Sequence, residues 1–416
     1  MASPLPERLH ILLLADRDWT HPQTGGNGAN IYNQVSRWVA WGHKVTVVAG
    51  MYPGAAPFQR FSDDLVVHRM GGRATVFPRA VWSVLRGIGR DADVVCEVIN
   101  GITFLTPLWL RKPRVALVHH VHRELYLGEF GRLGHLLAWV LETMPLRVLY
   151  RRTPFLTISR SACDDLVGVG IPPEHITVEY LGVEGEAYHR RERSPEPRLV
   201  YVGRLKAYKR IEIVLDVLEA IPSAQLDVVG DGDHRENLEA EVARRGLGDR
   251  VTMHGYVSEE RKGELYARAW VSLTASSSEG WSLTVMEAAL CGTPSAAMAI
   301  GGLPESVLDG ETGVLAHSVD ELRRRVRELV ERPDELERLG AAAESRARTF
   351  TWDRSAAAYL AILQARAGGA PPDIAPVRTD GEREPLGRPA AVEAEAVEDP
   401  DELALSLQRP ADAAGR

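Results

Sequence analysis

Cysteine is scarce in this 416-residue sequence, which contains only three. Cys96, Cys163 and Cys291 lie far apart, in neither a metal-binding spacing nor a disulfide framework. The sequence is therefore not that of a small disulfide-stabilised protein. A reducing, cytoplasmic setting is the simplest expectation, with peripheral contact to the inner membrane face as an extension of it.

Long apolar runs and excess positive charge are also missing. No stretch reaches the roughly 18–20 apolar residues that cross a bilayer. The N-terminus, MASPLPERLHILLLAD, lacks the length and cleavage site of a signal peptide. The net charge of −8 argues against non-specific binding to nucleic acid. Eleven acids and five arginines follow residue 367, so residues 368–416 are predicted to form a disordered acidic tail.

Length and hydrophobic pattern predict two α/β domains. The chain exceeds one ordinary core. Residues 9–15 read as a buried strand, a glycine loop follows, and Ile31, Val35 and Trp38 repeat at helical spacing before a second strand. Strands and helices continue to alternate, and the alternation restarts after a polar linker, which predicts two doubly wound Rossmann-like domains. The predicted divisions are 1–185, 186–352, a helix at 353–367, and the tail at 368–416.

One segment of the second half, Ser276–Gly313, carries the densest set of signals. Ser282 is a suitable N-cap, and Leu283, Met286 and Leu290 follow at helical spacing. The helix is therefore predicted to begin close to a glycine-containing loop. Its free N–H groups would form an anion site.

Two glutamates flank this helix start. Glu279 precedes the helix, and Glu287 lies within it, roughly 7–8 Å further along the axis. An anion site between two carboxylates suits a ligand with hydroxyls at both ends and phosphate in the middle. A sugar nucleotide has this form, although two glutamates alone are more often ordinary surface charges.

The glycine loop that follows the first strand of the chain contains Gly25 and Gly26. A dehydrogenase also begins in this way, but its fingerprint places the glycines directly after the strand and an acid at the end of the second strand. Here about nine residues separate the first strand from Gly25 and Gly26, and the second strand ends at Ala49-Gly50 without an acid. We therefore disfavour a dinucleotide site and interpret the glycines as allowing close approach of the backbone to a ligand.

Three histidines lie at the end of a predicted strand, where open α/β sheets place ligands. His119 is the first candidate for an active-site residue, His120 is the alternative, and His122 is expected to play a supporting role. Three histidines within four residues also suggest zinc. Strand alternation sends His119 and His120 to opposite faces, and no further ligand motif follows, so a metal site is disfavoured.

Two cations follow the first strand of the second half. Arg204 and Lys209 lie in VYVGRLKAYKR, just beyond the strand. In isolation such residues usually form a solvated loop. A pyrophosphate near a helix N-terminus nevertheless needs fixed cations, and Arg binds it bidentately.

The combination of these motifs resembles a known family. The run E-G-W-S-L-T-V-M-E, then A-x-x-C-G-T-P and G-G-L-P-E-x-V-x-D-G-E-T-G, is similar to the donor-site signature of retaining glycosyltransferases of family 4, which have GT-B architecture. The cationic loop resembles the G-R-x-x-x-x-K-G element of that family, with Arg210 replacing the last glycine. This replacement leaves the cations intact but removes the glycine expected at the local turn.

The resemblance implies a role for each candidate residue. The first domain would bind the acceptor, the second would bind the nucleotide sugar, and the helix at 353–367 would cross back to the first domain. Arg204 and Lys209 would neutralise the leaving diphosphate, and His119 would contact the donor sugar. The remaining implied donor contacts are Gly25 and Gly26 at the phosphate, Gly280 with the backbone of Trp281, Ser282 and Leu283 at the diphosphate, Glu279 at the sugar, and Glu287 at the ribose.

The reaction implied is metal-independent transfer of a hexosyl group, with retention, from a UDP- or GDP-sugar to a hydroxyl acceptor, either lipid-linked or a glycan. Two alternatives remain open: a GT-B sugar-nucleotide epimerase, and a non-catalytic nucleotide-sugar-binding scaffold. Incubation with donor alone separates them, since slow hydrolysis indicates a transferase, isomerised donor an epimerase, and no change a binder.

Two stretches mix aromatic residues, leucine and arginine. Residues 73–90 and 123–155 both read as core-facing helices with basic outer faces. The alternative interpretation is a membrane-surface patch near the acceptor site, with binding to anionic vesicles at low salt as its test.

Overall fold

The computed structural model describes residues 8–122 and 132–368, and its contacts divide the chain into two compact units. The first unit contains the chain up to Ile158, Ala162–Glu179 and the chain from Ser355, and the second contains Ser159–Ser161 and Tyr180–Arg354. The predicted tail beyond residue 368 and the predicted patch residues 123–131 lie outside the described residues.

The division between the units falls at 179/180, six residues before the predicted 185/186. The residues after this point pack onto the second unit instead of forming an extended linker. Val183 N–H donates to the Phe350 carbonyl at 2.9 Å. A Cβ on Gly182 would lie 2.2 Å from Trp352 N, so the two backbones are in close contact.

The first unit is built on an eight-stranded sheet with the order β3-β4-β2-β1-β5-β6-β7-β8. Strands β3 and β4 are antiparallel, and the other neighbouring pairs are parallel. Strand β1 lies between β2 and β5 with all five residues buried, which explains its continuous apolar sequence. The strands are β1 (His10–Leu14), β2 (Lys44–Ala49), β3 (Phe58–Arg60), β4 (Leu65–Arg69), β5 (Val94–Ile99), β6 (Arg114–Val118), β7 (Phe155–Thr157) and β8 (Ile176–Val178).

Helices cover both faces of this sheet. Ile31, Val35 and Trp38 pack on one face with Ile11 and Leu13 of β1, as their helical spacing predicts. The described helices are Gly26–Ala40, Val76–Leu85, Thr106–Trp109, Arg132–Ala138, the π-helical turn Trp139–Thr143, Met144–Leu149, Arg160–Val169, the 3-10 turn Pro173–His175, and Trp352–Ala367, which joins this unit from Ser355.

The last helix anchors the chain end to the first unit. Ala356, Tyr359 and Leu363 are fully buried in the core that contains β1. The indole Nε1–H of Trp38 donates to the Ala356 carbonyl at 3.1 Å. None of the described helices is long and apolar enough to cross a membrane.

The second unit has a six-stranded parallel sheet with the order β11-β10-β9-β12-β13-β14. The order reverses at β9, where open parallel sheets place ligands beyond the carboxyl ends of their strands. The strands are β9 (Arg198–Val202), β10 (Gln225–Val229), β11 (Val251–Gly255), β12 (Val271–Thr274), β13 (Ser295–Met298) and β14 (Gly313–Ala316). The helical segments are Ala207–Lys209, a 3-10 turn, Glu212–Glu219, Arg235–Arg244, Glu259–Arg268, Leu283–Leu290, Leu303–Ser306, Val319–Val330 and Pro333–Ala347.

Candidate active site

The glycine loop of the first unit leads directly into a helix. The helix Gly26–Ala40 begins one residue after Gly25, whose φ of 59° and ψ of −148° suit glycine and few other residues. The first turn of this helix contains no acidic residue. The positive end of the helix dipole is therefore not neutralised by its own sequence.

His119 lies directly after β6, at the carboxyl edge of the first sheet. Its exposed fraction is 7%, and its Nε2 lies 2.8 Å from the side-chain nitrogen of Asn30. Burial lowers the pKa of His119 to about 3, so the ring is neutral near pH 7. A neutral ring agrees with the role of sugar contact and does not suit that of a cation.

The other two histidines form a separate pair. The rings of His120 and His122 stack at 4.2 Å. Backbone N–H of His122 donates to both carboxylate oxygens of Glu142 at 3.0 Å. Among residues 8–122 and 132–368, no three His, Cys, Asp or Glu side chains are placed to hold a metal ion.

In the second unit, Lys209 and Glu279 form a direct ion pair across 70 residues of sequence. Ser276 Oγ–H donates to the same carboxylate oxygen at 2.8 Å. Burial alone would lower the pKa of Lys209, but the Glu279 carboxylate outweighs it and the pKa is raised. The site therefore contains a partly buried ammonium that is charged at all physiological pH values.

The loop carrying the cations has an unusual conformation at its end. Arg210 has φ 50° and ψ 48°, in the left-handed region. Arg210 thus adopts the left-handed conformation that a glycine would otherwise supply, so the local turn forms despite the replacement. Arg204 is exposed, and its charge is close enough to oppose protonation of Lys209.

A glycine pair supports the loop around Glu279. Gly302 N–H donates to the Glu279 carbonyl at 2.7 Å. A Cβ on Gly302 would lie 1.9 Å from the Gly280 carbonyl oxygen, and one on Gly301 would lie 2.4 Å from that of Glu279. The turn Gly301-Gly302 therefore packs directly against the backbone of Glu279 and Gly280.

The helix after this loop is Leu283–Leu290, so Ser282 occupies the N-cap position as predicted. Its side chain makes no capping hydrogen bond, because its hydroxyl pairs with Thr284 Oγ1 at 3.0 Å. Backbone N–H of Ser282 donates to Ser306 Oγ at 3.3 Å. This N–H was predicted to bind diphosphate but already has a partner within the protein, which leaves the first-turn groups such as Leu283 N–H better placed.

Trp281 has a packing role in addition to its predicted backbone contact. Its ring lies 4.5 Å from that of Tyr180 and 5.3 Å from that of Phe350. This aromatic cluster fixes the loop immediately before the helix.

Glu287 is held by side chains that the sequence analysis did not single out. Lys262 Nζ–H and Tyr266 O–H donate to its two oxygens at 3.3 and 3.2 Å. Burial raises the pKa of Glu287, while the Lys262 ammonium opposes that rise. Lys262 lies 25 residues away from Glu287 on another helix, so local sequence pattern did not indicate that the two side chains form a pair.

The fold and these motifs define a GT-B glycosyltransferase. The family model "Glycosyltransferase Family 4" matches residues 24–186, and "Glycosyl transferases group 1" matches residues 186–346. The chain is 31% identical to the MMP alpha-(1->4)-mannosyltransferase of Mycolicibacterium hassiacum, over 86% of this chain and 98% of the relative. The protein therefore belongs to this glycosyltransferase family, and the predicted class is confirmed.

Two further comparisons agree with this assignment. The GDP-mannose-dependent alpha-(1-6)-phosphatidylinositol dimannoside mannosyltransferase of Mycobacterium tuberculosis is 28% identical, over 83% of this chain and 94% of the relative. Sucrose-phosphate synthase from Thermosynechococcus elongatus has the same fold, with a TM-score of 0.70, 20% identity, and coverage of 84% and 96%. The predicted pair of doubly wound domains is confirmed, and transfer of sugar from a nucleotide sugar is supported over the epimerase alternative.

Proposed function

We propose that this enzyme transfers a mannosyl group from GDP-mannose to a hydroxyl of a lipid-linked acceptor. The observation that carries the donor class is the Lys209–Glu279 pair beside the N-terminus of the helix Leu283–Leu290. The names of the two relatives described above favour mannose, and one of those names specifies GDP-mannose. A UDP-linked donor is the alternative.

The diphosphate would be bound by fixed charge and backbone dipoles. Lys209 is partly buried and oriented by Glu279, and Arg204 lies on the same loop. The first-turn N–H groups of the helix would donate to the phosphate oxygens. These groups would stabilise the charge that develops on the leaving diphosphate, so the reaction would need no metal ion.

The remaining candidates would orient the two sugars of the donor. Glu279, already held by Lys209 and Ser276, would accept from hydroxyls of the transferred hexose. Glu287 would accept from the ribose hydroxyls, and His119 would contact the hexose. The Gly25-Gly26 backbone would approach phosphate.

Transfer would proceed with retention at the anomeric carbon. The bond from this carbon to the diphosphate oxygen breaks as its bond to the acceptor oxygen forms on the same face. The acceptor proton passes to the departing phosphate oxygen. Glu279 is engaged with Lys209 and Ser276, which suits a binding role for it better than a nucleophilic one.

A lipid-linked acceptor is supported by the helices on one face of the first sheet. The helix Val76–Leu85 packs with Val95 of β5, and Leu146 packs with Ile99 of the same strand. Val95 and Ile99 are four residues apart, so their side chains point to one face. The helices over that face expose a set of large apolar side chains, which we call the apolar helical face: Trp82, Leu85, Leu108, Leu136, Trp139, Val140 and Val148.

The charges on these helices complement an anionic surface. Arg79, Arg86 and Arg147 are exposed, and the Arg86 guanidinium lies 3.7 Å from the ring centre of Trp82. The single acid of the described helices 76–85, 106–109 and 132–149 is Glu142, which is buried. Aromatic and basic residues without exposed acids are typical of a surface that lies on lipid headgroups.

Ligand-dependent stability tests the donor. Thermal unfolding would be followed with GDP, UDP, GDP-mannose, UDP-glucose and UDP-N-acetylglucosamine at equal concentration, since a ligand at 100 times its Kd adds about 2.7 kcal/mol. GDP and GDP-mannose are expected to raise the Tm most. A larger rise with any UDP compound would assign the donor to UDP.

Product analysis tests the reaction. With GDP-mannose and phosphatidylinositol mannosides in vesicles, we expect GDP release and a lipid product with an α-mannosyl linkage, while EDTA leaves the rate unchanged. Transfer to soluble methyl α-mannoside at the same rate would contradict the lipid-linked acceptor. Loss of activity in EDTA would contradict metal independence.

A further inference from the structure

The contact between Asn30 and His119 determines where the imidazole carries its proton. Asn30 lies on the helix Gly26–Ala40 and is fully buried, 89 residues away from His119 in sequence. Its amide nitrogen lies 2.8 Å from His119 Nε2. An amide nitrogen only donates, so Nε2 must accept with its lone pair, and the ring proton must then reside on Nδ1.

Gln34 fixes the orientation of the Asn30 amide. One turn further along the helix, Gln34 Nε2–H donates to Asn30 Oδ1 at 3.0 Å and to Ser355 Oγ at 2.9 Å. Because the Asn30 oxygen faces Gln34, its nitrogen faces His119. Gln34, like Asn30, is buried, so this orientation does not compete with hydrogen bonding to water.

The Nδ1–H group that results has no partner among the described residues. Buried donors without partners are rare and costly in folded proteins. This one lies at the carboxyl edge of the first sheet, where ligands bind in such folds. A substrate hydroxyl bound at this edge would supply the acceptor that this donor lacks.

We propose that Asn30, oriented by Gln34, is a positioning residue that holds His119 as the neutral Nδ1–H tautomer, so that this N–H donates to a hydroxyl of the transferred sugar. This proposal rests on the proposed function for its substrate. A neutral donor suits the reaction, because an imidazolium would oppose positive charge developing on the sugar in the transition state.

The tautomer is measured in the resting wild-type enzyme by two-bond ¹⁵N–¹H correlation of the imidazole rings. The His119 signals are assigned as those lost in His119→Gln. We expect the shift of an unprotonated nitrogen at Nε2 and of a protonated one at Nδ1. The reverse pattern, or a charged ring at pH 7, would overturn the proposal without bearing on whether the enzyme transfers mannose.

The use of the tautomer is tested by Asn30→Asp, which replaces the donor facing Nε2 by an acceptor and forces the proton onto Nε2. We expect kcat to fall about 10- to 100-fold, the loss of one buried hydrogen bond in the transition state, with an unchanged Kd for GDP. Asn33→Asp is the matched control. Asn33 is three residues along the same helix and bonds to the Ala29 carbonyl and to Arg37, so kcat should stay within about twofold.

The outcomes distinguish failure of the tautomer proposal from failure of the proposed function. The expected NMR pattern together with an Asn30→Asp kcat equal to wild type would show that the tautomer is held but not used, which overturns the proposal. Absence of transfer by the wild-type enzyme from every donor would refute the proposed function, while the NMR result would still decide the tautomer. If Asn30→Asp does not fold, Gln34→Ala serves, with mixed tautomers and a smaller fall in kcat expected.

Discussion

Lys209 is the residue on which the proposed chemistry depends most directly. Lys209→Ala removes a fixed charge that would stabilise the leaving diphosphate, so we expect kcat to fall about 10²- to 10³-fold, with a smaller change in KM. Lys206→Ala is the control, because Lys206 lies on the same loop and pairs with the exposed Asp233. Steady-state kinetics with GDP-mannose measures both variants. A kcat for Lys209→Ala equal to that of Lys206→Ala would refute the role of this ammonium.

His119 gives a prediction about stability and pH. Its pKa is about 3 in the folded protein because of burial, against 6.5 for an unburied histidine. The unfolded chain therefore binds the proton more readily, and the His119 contribution is complete above pH 6.5 and is lost as pH falls toward 3. Between pH 7 and pH 5 this amounts to about 2 kcal/mol. In urea unfolding, the free energy of unfolding should fall between pH 7 and pH 5 by this much less in His119→Gln than in the wild-type protein. An equal fall in both proteins would contradict the prediction.

Arg210 predicts a stabilising substitution. Its left-handed conformation costs an L-residue roughly 1–2 kcal/mol. Glycine avoids this strain, but it loses more conformational entropy on folding, which offsets part of the gain. Arg210→Gly should therefore stabilise the protein by about 0.5–1 kcal/mol. Arg210→Ala removes the same side chain but keeps the strain, so it should give no gain. Urea unfolding in which the glycine variant is no more stable than the alanine variant would contradict this account.

At the scale of elements, the turn Gly301-Gly302 and the loop Glu279-Gly280 act as one unit. Gly302→Ala would place a Cβ 1.9 Å from the Gly280 carbonyl oxygen, and backbone must move to relieve that contact. We expect kcat/KM to fall at least about tenfold, because a donor loop displaced by even 1 Å loses its alignment. Gly248→Ala is the control, since a Cβ there meets nothing within 4 Å. Equal kcat/KM values for the two variants would show that the turn does not support the donor loop.

The elements themselves were largely predictable from sequence, because each depends on its own local pattern. The apolar run of β1, the spacing of Ile31, Val35 and Trp38, and the start of the helix at Leu283 are read directly from neighbouring residues. The close approach of the turn Gly301-Gly302 to Glu279-Gly280, in contrast, is seen only in the structure.

The side-chain partners within the site were less predictable, because they come from distant elements. Asn30 and His119 are 89 residues apart, and Lys262 reaches Glu287 from a different helix. Local sequence pattern contains no information about such pairs. The hydroxyl of Ser282 also departs from its predicted capping bond, because Thr284 offers a competing partner two residues away.

At the scale of the whole molecule, the apolar helical face of the first unit predicts binding to anionic vesicles at low salt. The exposed fractions of Trp82 and Trp139 are 56% and 55%, so replacing them should leave the fold intact. In sedimentation with phosphatidylglycerol-containing vesicles, Trp82→Ser and Trp139→Ser should each weaken partitioning about tenfold, the loss of one buried aromatic side chain. Tyr256→Ser is the control, because it removes an aromatic residue of the second unit that is 74% exposed. If all three variants bind the vesicles as well as the wild-type protein, the apolar helical face is not the binding surface. If the wild-type protein does not sediment with the vesicles, the prediction of membrane binding is wrong.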